Sequence, residues 1–499
     1  MGVTSEHLDG MRVVPIAWLI TGLVAWLGVT QLLLWRFLHV MPLWAYALGL
    51  GLLALFCRSV LRHGPHREGP RPAALLTCLA AAFLLLLLGG EGRFFYANID
   101  WQVRLAVLHD MRVNPWPFVY VQDGEVSLLR APIGMFLAPA LVGKALGSRA
   151  ADIALLIQNS LMLGTVLALG APLFETRRAR LIALAIVIGF SGLDAVGRIL
   201  FRGSLSDHLE NWALLQFSSM VTLAFWVPQH ALSGWIGAIG YLLWRRDKLP
   251  LGSYYALLPM TALWSPLGLI GAMPFAALAG VRTLWARRLS LGDIVRPLPA
   301  VLIALPGLIY LAAAGEGVGA KIVPLVPLQW GLFELLEVLV YVIPLGFLWR
   351  RSRLGADTLG LLTLWLLAIP FVQIGFSTDF MMRASITSLT ILAVMAADSV
   401  LRDHTLRLWL IVALLLGAIT PLFEIRRSLS YPPAPEVRCD FNTAWDQSFR
   451  DFPKGSYLAP LAAMPGPVRP TRPTPIGSQG PTRCWEGHWY HPSNGQPSG

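Results

Sequence analysis

The segment RFFYANIDWQVRLAVLHDMRVNPWPFVYVQDGEVSLLR, residues 93–130, is the first long polar stretch of the chain. Mostly apolar runs precede it and follow it. It combines acids, arginines and many aromatic residues, among them Asp100 and Arg104. Aromatic and charged side chains are favoured where the hydrocarbon of a membrane meets water. The segment therefore predicts a long loop at one membrane face, held between spanning helices.

The composition indicates a membrane protein rather than a soluble one. Of the 499 residues, 56% are hydrophobic and only 13% are charged, whereas a soluble domain has about 25% charged residues. Apolar runs near the length of a span recur along the chain, which predicts an all-α, polytopic transmembrane helical bundle of about 13 spans. The formal charge of +11 comes from short Arg and Lys clusters between apolar runs. Such clusters are typical of cytoplasmic loops, so we expect no nucleic-acid partner.

The basic clusters also predict the orientation. The loop RSVLRHGPHREGPRP after the second apolar run is strongly basic, which favours a cytoplasmic N-terminus. Loop 91–130, with interfacial helices, and a second polar loop, 191–220, then fall on the outer face. The short run Pro132–Leu146 is interpreted as a half-helix that enters the membrane and returns.

Two regions follow from this division. Residues 1–424 form the predicted transmembrane domain, and residues 425–499 form a Pro- and Gly-rich tail outside the cytoplasm. The tail has few apolar residues for a core, so we expect it to be partly disordered or draped on the outer face. In that compartment a disulfide between Cys439 and Cys484 is possible.

Separate outer loops bring both acids and bases to the same predicted face, which favours a shared site over scattered solvated charges. The candidate residues are Asp100, Arg104, Asp194, Glu210, His230, Lys321, Asp379 and Arg383. Asp100 has two interpretations: an ion pair with Arg104 at helical i, i+4 spacing, or a general base in a partly dry surround. Arg383 could bind a phosphate through both arms of its guanidinium, or extend to lipid headgroups.

The outer-loop motifs resemble those of the GT-C class of membrane glycosyltransferases. NID at 98–100, followed by WQVRLAVLHD, is similar to the acidic first outer loop of that class. Arg130-Ala131-Pro132, followed by GMFLAPALVGKALG, resembles its proline-bearing re-entry, and Asp194 resembles a second outer acid. The chain departs from the pattern in placing two helices before the acidic-loop helix and in lacking paired acids.

The resemblance implies an inverting transfer of a sugar from a polyprenyl-phosphate donor at the outer face, in a bacterial inner (plasma) membrane. It implies Asp100 and Asp194 as catalytic residues. The implied substrate-binding residues are Arg104, His230, Glu210, Lys321, Asp379 and Arg383. No cofactor is implied, and no spacing of metal ligands indicates a divalent ion. The expected partners are the lipid-linked sugar and membrane lipid.

Other classes stay open. A transporter or flippase for a lipid or small solute needs ionisable groups within the membrane, and Glu334 and Glu337 lie in an apolar run. A non-catalytic assembly protein of the cell envelope is the third interpretation.

Overall fold

A computed structural model describes residues 13–122, 124–206, 208–313, 319–477 and 483–490 of the chain. Over these residues the backbone is mostly helical, which confirms the predicted helical bundle. The helices are α1 (Ile16–Leu38), α2 (Leu43–His63), α3 (Pro72–Leu88), α4 (Asp100–Val113), α5 (Gly134–Leu146), α6 (Ser148–Gly170), α7 (Arg177–Ile188), α8 (Asp194–Arg202), α9 (Met220–Trp226), α10 (Pro228–Arg245), α11 (Leu251–Thr261), α12 (Pro266–Trp285), α13 (Leu291–Val295), α14 (Leu298–Ala312), α15 (Pro327–Glu334), α16 (Val340–Phe347), α17 (Ala356–Ala368), α18 (Asp379–Ala384), α19 (Ile386–Arg402), α20 (Arg407–Gly417), α21 (Ile419–Ser430) and α22 (Phe441–Ser448).

Six short strands add two small sheets that the sequence did not predict. The strands are β1 (Phe118–Gln122), β2 (Glu125–Leu129), β3 (Ala320–Ile322), β4 (Val372–Ile374), β5 (Leu458–Pro460) and β6 (Thr474–Ile476). One sheet has the strand order β5-β2-β1-β6, and β3 pairs antiparallel with β4. The larger sheet joins the first polar loop to the tail.

Seven helical stretches within the described residues are long and apolar enough to cross a membrane, as an integral membrane protein requires. They are Ile16–Leu38, Leu43–His63, Ser148–Leu173, Pro266–Trp285, Leu291–Ala312, Pro327–Phe347 and Arg407–Ser430. The predicted number of 13 spans is not confirmed. The apolar run Val221–Leu243, which is long enough for one span, is divided between α9 and α10, because Pro228 has no N–H with which to continue a helix. Helix α5 is about 20 Å long, short of the about 30 Å of hydrocarbon.

Helix α1 separates two ends of the molecule by about 35 Å. Near its start, the Val14 amide donates to the Pro70 carbonyl at 2.9 Å. Near its finish, the Phe37 ring packs edge-on against Phe118 of β1, with centroids 5.5 Å apart. We call the first the basic end and the second the tail end.

The Arg- and Lys-rich loops meet one another at the basic end. Lys248 pairs with Glu68 of the loop before α3. Arg353 binds Glu175 at 2.8 Å, and Arg351 binds Asp403 at 2.8 Å. The basic clusters that the sequence assigns to one membrane face therefore lie together.

The described part of the tail, residues 425–477 and 483–490, is folded more extensively than the sequence predicted. Strand β5 pairs with β2, β6 pairs parallel with β1, and α22 packs on α4. A disulfide joins Cys439 to Cys484. The predicted boundary at residue 424 falls inside α21, so the tail continues directly from a helix of the bundle.

Asp110 of α4 connects the tail to the first polar loop. Its carboxylate accepts hydrogen bonds from the Tyr120 hydroxyl at 2.7 Å and from the Phe441 amide at 2.8 Å. Burial raises the pKa of Asp110, although these donors oppose the shift. A buried acceptor with fixed donors specifies how α4, β1 and α22 fit together.

Candidate functional site

Helix α4 begins at Asp100, one of the two residues expected to be catalytic. The Asp100 amide donates to the side-chain oxygen of Asn98 at 3.0 Å. This bond satisfies one of the amides that the first turn of a helix leaves without a partner. The Asp100 carboxylate also lies at the positive end of the helix dipole, where a negative charge is stabilised.

Helix α4 also contacts the C-terminal end of α9, where that helix stops before Pro228. Because the chain turns at Val227 before Pro228, the last carbonyls of α9 point out of that helix. Three side chains spaced three residues apart on α4 and its approach donate to these carbonyls. The Phe225 carbonyl accepts from Asn98 at 2.9 Å and from Trp101 at 2.8 Å, and the Trp226 carbonyl accepts from Arg104.

Arg104 also forms the predicted i, i+4 ion pair with Asp100, with Nη2 and Oδ2 2.8 Å apart. The two side chains differ in exposure: 27% for Asp100 and 3% for Arg104. The Arg104 Nε is buried and has no acceptor among the described residues. The pair therefore presents a carboxylate to solvent above a buried cation with an unused donor.

A second acid–base pair reaches the same place from α18. Arg383 pairs with Asp379 four residues earlier, with exposures of 15% and 29%. Burial alone would lower the pKa of Arg383, but the charges of Asp379 and Asp100 raise it. The Arg383 Nε, too, has no acceptor within the described part of the chain.

His230, at the start of α10, lies near both arginines, Arg104 and Arg383. Its Nδ1 is 2.8 Å from the Ser265 hydroxyl, which accepts the Gly268 amide at 2.9 Å and so caps α12. The cap fixes the imidazole position relative to the two guanidinium groups.

Tyr457 of the tail completes this group, and the sequence reasoning missed it. Its phenol is close enough to Arg104, Asp100 and Arg383 to interact with their charges, and burial raises its pKa. No sequence signal identifies a contact across more than 350 residues. We call Asp100, Arg104, His230, Asp379, Arg383 and Tyr457 the Asp100 cluster.

Asp194, the second predicted catalytic residue, lies in a different group. Its side chain is fully buried, and Oδ2 accepts from Ser191 at 2.8 Å and from Thr420 at 3.0 Å. Glu337 of the Pro327–Phe347 span approaches it and accepts from Trp212 at 3.0 Å. Burial raises the pKa of Asp194, against the hydrogen bonds that it accepts.

Glu210 is buried beside Asp194 instead of facing the Asp100 cluster. It accepts from the Ser219 amide at 2.8 Å and from Gln216 at 2.9 Å. Burial, with the charge of Asp194, raises the pKa of Glu210 to about 7. The predicted substrate contact at Glu210 would thus require access to a closed region.

Glu424 links the two groups through Trp226. Its carboxylate pairs with Arg427, contacts His208 at 3.2 Å and accepts the Trp226 indole N–H at 2.9 Å. The Trp226 carbonyl binds Arg104 of the first group. We call Asp194, His208, Glu210, Glu337, Glu424 and Arg427 the Asp194 cluster.

Lys321 is not brought to either group. It is exposed on β3, opposite Gln373 of β4. No hydrogen bond or ion pair among the described residues joins it to the Asp100 cluster. The structure thus unites five of the eight candidates, places two in the Asp194 cluster and leaves Lys321 apart.

Glu91 is a further buried acid that the sequence reasoning did not select. It is 1% exposed, and one oxygen accepts from Asn159 at 3.0 Å while the other has no partner among the described residues. Burial raises its pKa, and the nearby Arg104 opposes this. In the sequence, its position between Gly90 and Gly92 is the only local feature that could have identified Glu91 as a buried acid.

Within the described residues, no three His, Cys, Asp or Glu side chains gather as metal ligands. The expectation about metal stays a prediction. Comparisons with protein-family models, curated proteins and solved structures find no match to this chain.

Proposed function

We propose that this chain is a membrane glycosyltransferase that transfers a sugar from a polyprenyl-phosphate donor to an acceptor at the tail end. The observation that carries the proposal is the Asp100 cluster. There a partly exposed carboxylate lies above two largely buried guanidinium groups, each with an unused Nε donor. Guanidinium groups match the geometry and charge of a phosphate.

In the proposed reaction the acceptor hydroxyl attacks the anomeric carbon of the sugar. Asp100 takes the hydroxyl proton as general base, while the bond from the anomeric carbon to the phosphate oxygen breaks and the phosphate keeps the electron pair. Protonation of Asp100 removes the negative partner of Arg104. Its guanidinium, together with Arg383, is then free to stabilise the phosphate charge.

Asp379 and His230 would position this machinery. Asp379 holds Arg383, and His230 is fixed by Ser265 beside both arginines. Because Asp194 and Glu210 are fully buried, we assign them to support of α9 rather than to substrate contact. Lys321 could contact headgroups at the surface, since its side chain is exposed.

We place the tail end outside the cytoplasm and the N-terminus inside, in a bacterial inner membrane. The gathering of basic loops about 35 Å from the tail end supports this orientation, because cytoplasmic loops carry an excess of Lys and Arg.

The test uses purified protein in phosphatidylcholine nanodiscs with a panel of polyprenyl-phosphate sugars, and it measures released polyprenyl phosphate. That product is the same for every sugar and acceptor. Asp100→Asn should lower the release rate by about 10²–10⁴-fold, because it removes the proton acceptor. Glu125→Gln is the matched control, since Glu125 is an exposed acid of the same loop. Full release by a folded Asp100→Asn protein would refute the assignment.

The Asp194 cluster favours a second candidate, transport or flipping of a lipid or small solute. Buried ionisable groups in membrane proteins often mark ion or substrate paths, and Glu334 and Glu337 are each 1% exposed in one span. Counterflow of a labelled lipid or solute in proteoliposomes, without release of polyprenyl phosphate, would support this candidate.

A further inference from the structure

Glu91 is a buried acid close to the Asp100 cluster, and the proposed reaction does not use it. It is 1% exposed and lies in the turn between α3 and α4. The Asn159 side chain donates to one Glu91 oxygen at 3.0 Å, and the other oxygen has no partner among the described residues. The charged side chain that acts on Glu91 is Arg104, whose buried Nε also has no acceptor in the described structure.

The turn that carries Glu91 has a backbone conformation that few residues adopt. Gly90 and Gly92 have φ angles of 93° and 74°, and Arg93, which is not a glycine, has a φ of 55°. A Cβ at Gly90 would come within 2.7 Å of the Ala97 Cα, so the turn closes directly onto the approach to α4. Left-handed backbone at a non-glycine residue costs free energy and persists only where surrounding contacts fix it.

Two contacts from the first turns of α6 fix this turn. Arg93 pairs with Asp152 at 2.7 Å, and Arg149 donates to the Gly92 carbonyl at 2.5 Å. The charged side chains on this side of the turn are therefore engaged with one another or with the backbone. The turn holds Glu91 in the interior although no ion pair among the described residues includes it.

The other surroundings of Glu91 add no cation to balance a negative charge. Helix α3 has no charged residue. Glu436 of the tail influences Asp152 and lies beside Ser148 and Arg438. An enclosed carboxyl with one amide donor and no ion pair is more stable neutral than charged. Burial accordingly raises the pKa of Glu91, against the opposing effects of Asn159 and Arg104.

The charge state of Glu91 matters because Arg104 has few negative partners. Within the described residues, Asp100 is the carboxylate that pairs with Arg104. When Asp100 takes up a proton in the proposed reaction, that negative charge disappears, and Arg104 can stabilise the departing phosphate. An ionised Glu91 would supply a second negative charge from the interior, and it would weaken the attraction between Arg104 and a phosphate.

We propose that Glu91 is a positioning residue that acts through Arg104. As a neutral carboxyl it leaves the Arg104 charge available to the lipid phosphate, and its ionisation in alkaline solution weakens phosphate binding. Glu91 itself touches no substrate. The inference rests on the proposed function, since the lipid phosphate is the ligand that Arg104 would bind there.

Infrared spectroscopy of the full chain tests the neutral state of Glu91 without any ligand. The protein is measured at neutral pH in a maltoside detergent, which has no C=O group of its own. The spectrum of Glu91→Gln is subtracted from that of the unmodified protein. We expect the difference to contain the C=O band of a protonated carboxyl, shifted in D₂O. A carboxylate band in its place would overturn the proposal.

The effect on the Asp100 cluster is tested by binding of undecaprenyl phosphate to the full chain in phosphatidylcholine nanodiscs. The affinity of the unmodified protein should fall by about tenfold between neutral and alkaline pH, because one interior charge near Arg104 opposes the phosphate. Glu91→Gln, which resembles the neutral carboxyl in shape, should bind within twofold of the unmodified protein at neutral pH and should lose this additional fall. Ionisation of the ligand itself is common to all variants. Equal pH profiles would overturn the proposal.

The matched control is Glu436→Gln. Glu436 is an acid near the outer side of the same turn, with an exposure of 33%. This variant should keep the alkaline fall in affinity. Loss of the fall in Glu436→Gln as well would contradict a specific action of Glu91 through Arg104.

Two further readouts separate the possible failures. The melting temperatures of Glu91→Gln and the unmodified protein should agree at neutral pH. A large decrease in the variant would mean that Glu91 supports the fold, contrary to the proposal. If the unmodified protein binds no undecaprenyl phosphate at any pH, the proposed function fails together with this inference. If it binds the phosphate with the same pH profile as Glu91→Gln, only the inference about Glu91 fails.

Discussion

The Asp100 cluster and the Asp194 cluster both contact Trp226, but they differ in which charged side chains are buried. In the first, the acids are the more exposed partners and the guanidinium groups are buried, with exposures of 27% for Asp100 and 3% for Arg104. In the second, the acids are buried: Asp194 is fully enclosed and Glu424 is 1% exposed.

This difference separates two kinds of chemistry. Buried cations below a partly exposed carboxylate suit an incoming anion and a proton that moves between water and the site. Buried acids without enough cations bind protons more tightly than water-exposed acids do. The first arrangement suits catalysis, and the second makes the fold sensitive to pH.

After that of Asp100→Asn, the largest expected effect tests the anion-binding side of the comparison. Arg383→Gln should lower polyprenyl-phosphate release by about 10²–10³-fold, because it removes a preorganised positive group from the leaving phosphate. The matched control is Arg438→Gln, an arginine of the tail that is 53% exposed. Release within twofold of the unmodified protein would remove Arg383 from the site.

The next effect tests the pH sensitivity of the Asp194 cluster. Burial raises the pKa of Glu210 from 4.5 to about 7. Between these values the folded state holds a proton that the unfolded state releases, so the free energy of unfolding falls as pH rises, by up to about 3 kcal/mol. The raised pKa values of Asp194 and of His208, the latter due to Glu424 against the effect of burial, act in the same direction.

Melting temperatures in detergent from pH 4 to 8 measure this effect. Glu210→Gln should flatten the decline with pH, and Glu125→Gln, at an exposed site, should not. An unchanged slope in Glu210→Gln would mean that Glu210 ionises at its ordinary pKa in the fold.

A smaller effect tests the close packing of the Asp194 cluster. Gly192 lies against Glu337, and a Cβ there would come within 2.8 Å of the Glu337 Cα. Gly192→Ala should therefore destabilise the protein by about 1–3 kcal/mol, seen as a lower melting temperature. Gly360→Ala, with open space around the position, is the control. Equal melting temperatures would show that the span carrying Glu337 can move aside.

The smallest effect concerns the candidate that belongs to neither cluster. Lys321 is exposed on β3, and exposed substitutions change stability by no more than about 0.5 kcal/mol. Lys321→Ala should leave polyprenyl-phosphate release within twofold. A tenfold loss would place Lys321 in contact with the donor and extend the site beyond the Asp100 cluster.

The sequence predicts what depends on composition and local spacing. Apolar runs predict the helical bundle, and the i, i+4 spacing predicts the ion pair of Asp100 with Arg104. Convergence of Asp100, His230 and Arg383 was a hypothesis about one face of the membrane, and the structure brings these three side chains together.

Long-range pairing could not be read from the sequence. The strands are three to five residues long, which is too short to show the alternation of apolar and polar residues that identifies a strand. Strands β5 and β6 also lie in a tail rich in Pro and Gly, and their partners lie hundreds of residues away. The burial of Asp194 and Glu210 was missed for a similar reason. A polar segment looks solvated in sequence, but the described fold covers it with α21 and the Pro327–Phe347 span.

The strand order β5-β2-β1-β6 has a consequence for biosynthesis. The two central strands are translated early, and both flanking strands come from the last tenth of the polypeptide. Until residue 476 has been added to the chain, the β1–β2 hairpin exposes two unpaired edges, and such edges favour association with other chains. A ribosome that stalls near the C-terminus would thus leave nearly the whole helical bundle translated, next to a hairpin whose unpaired edges can bind other chains.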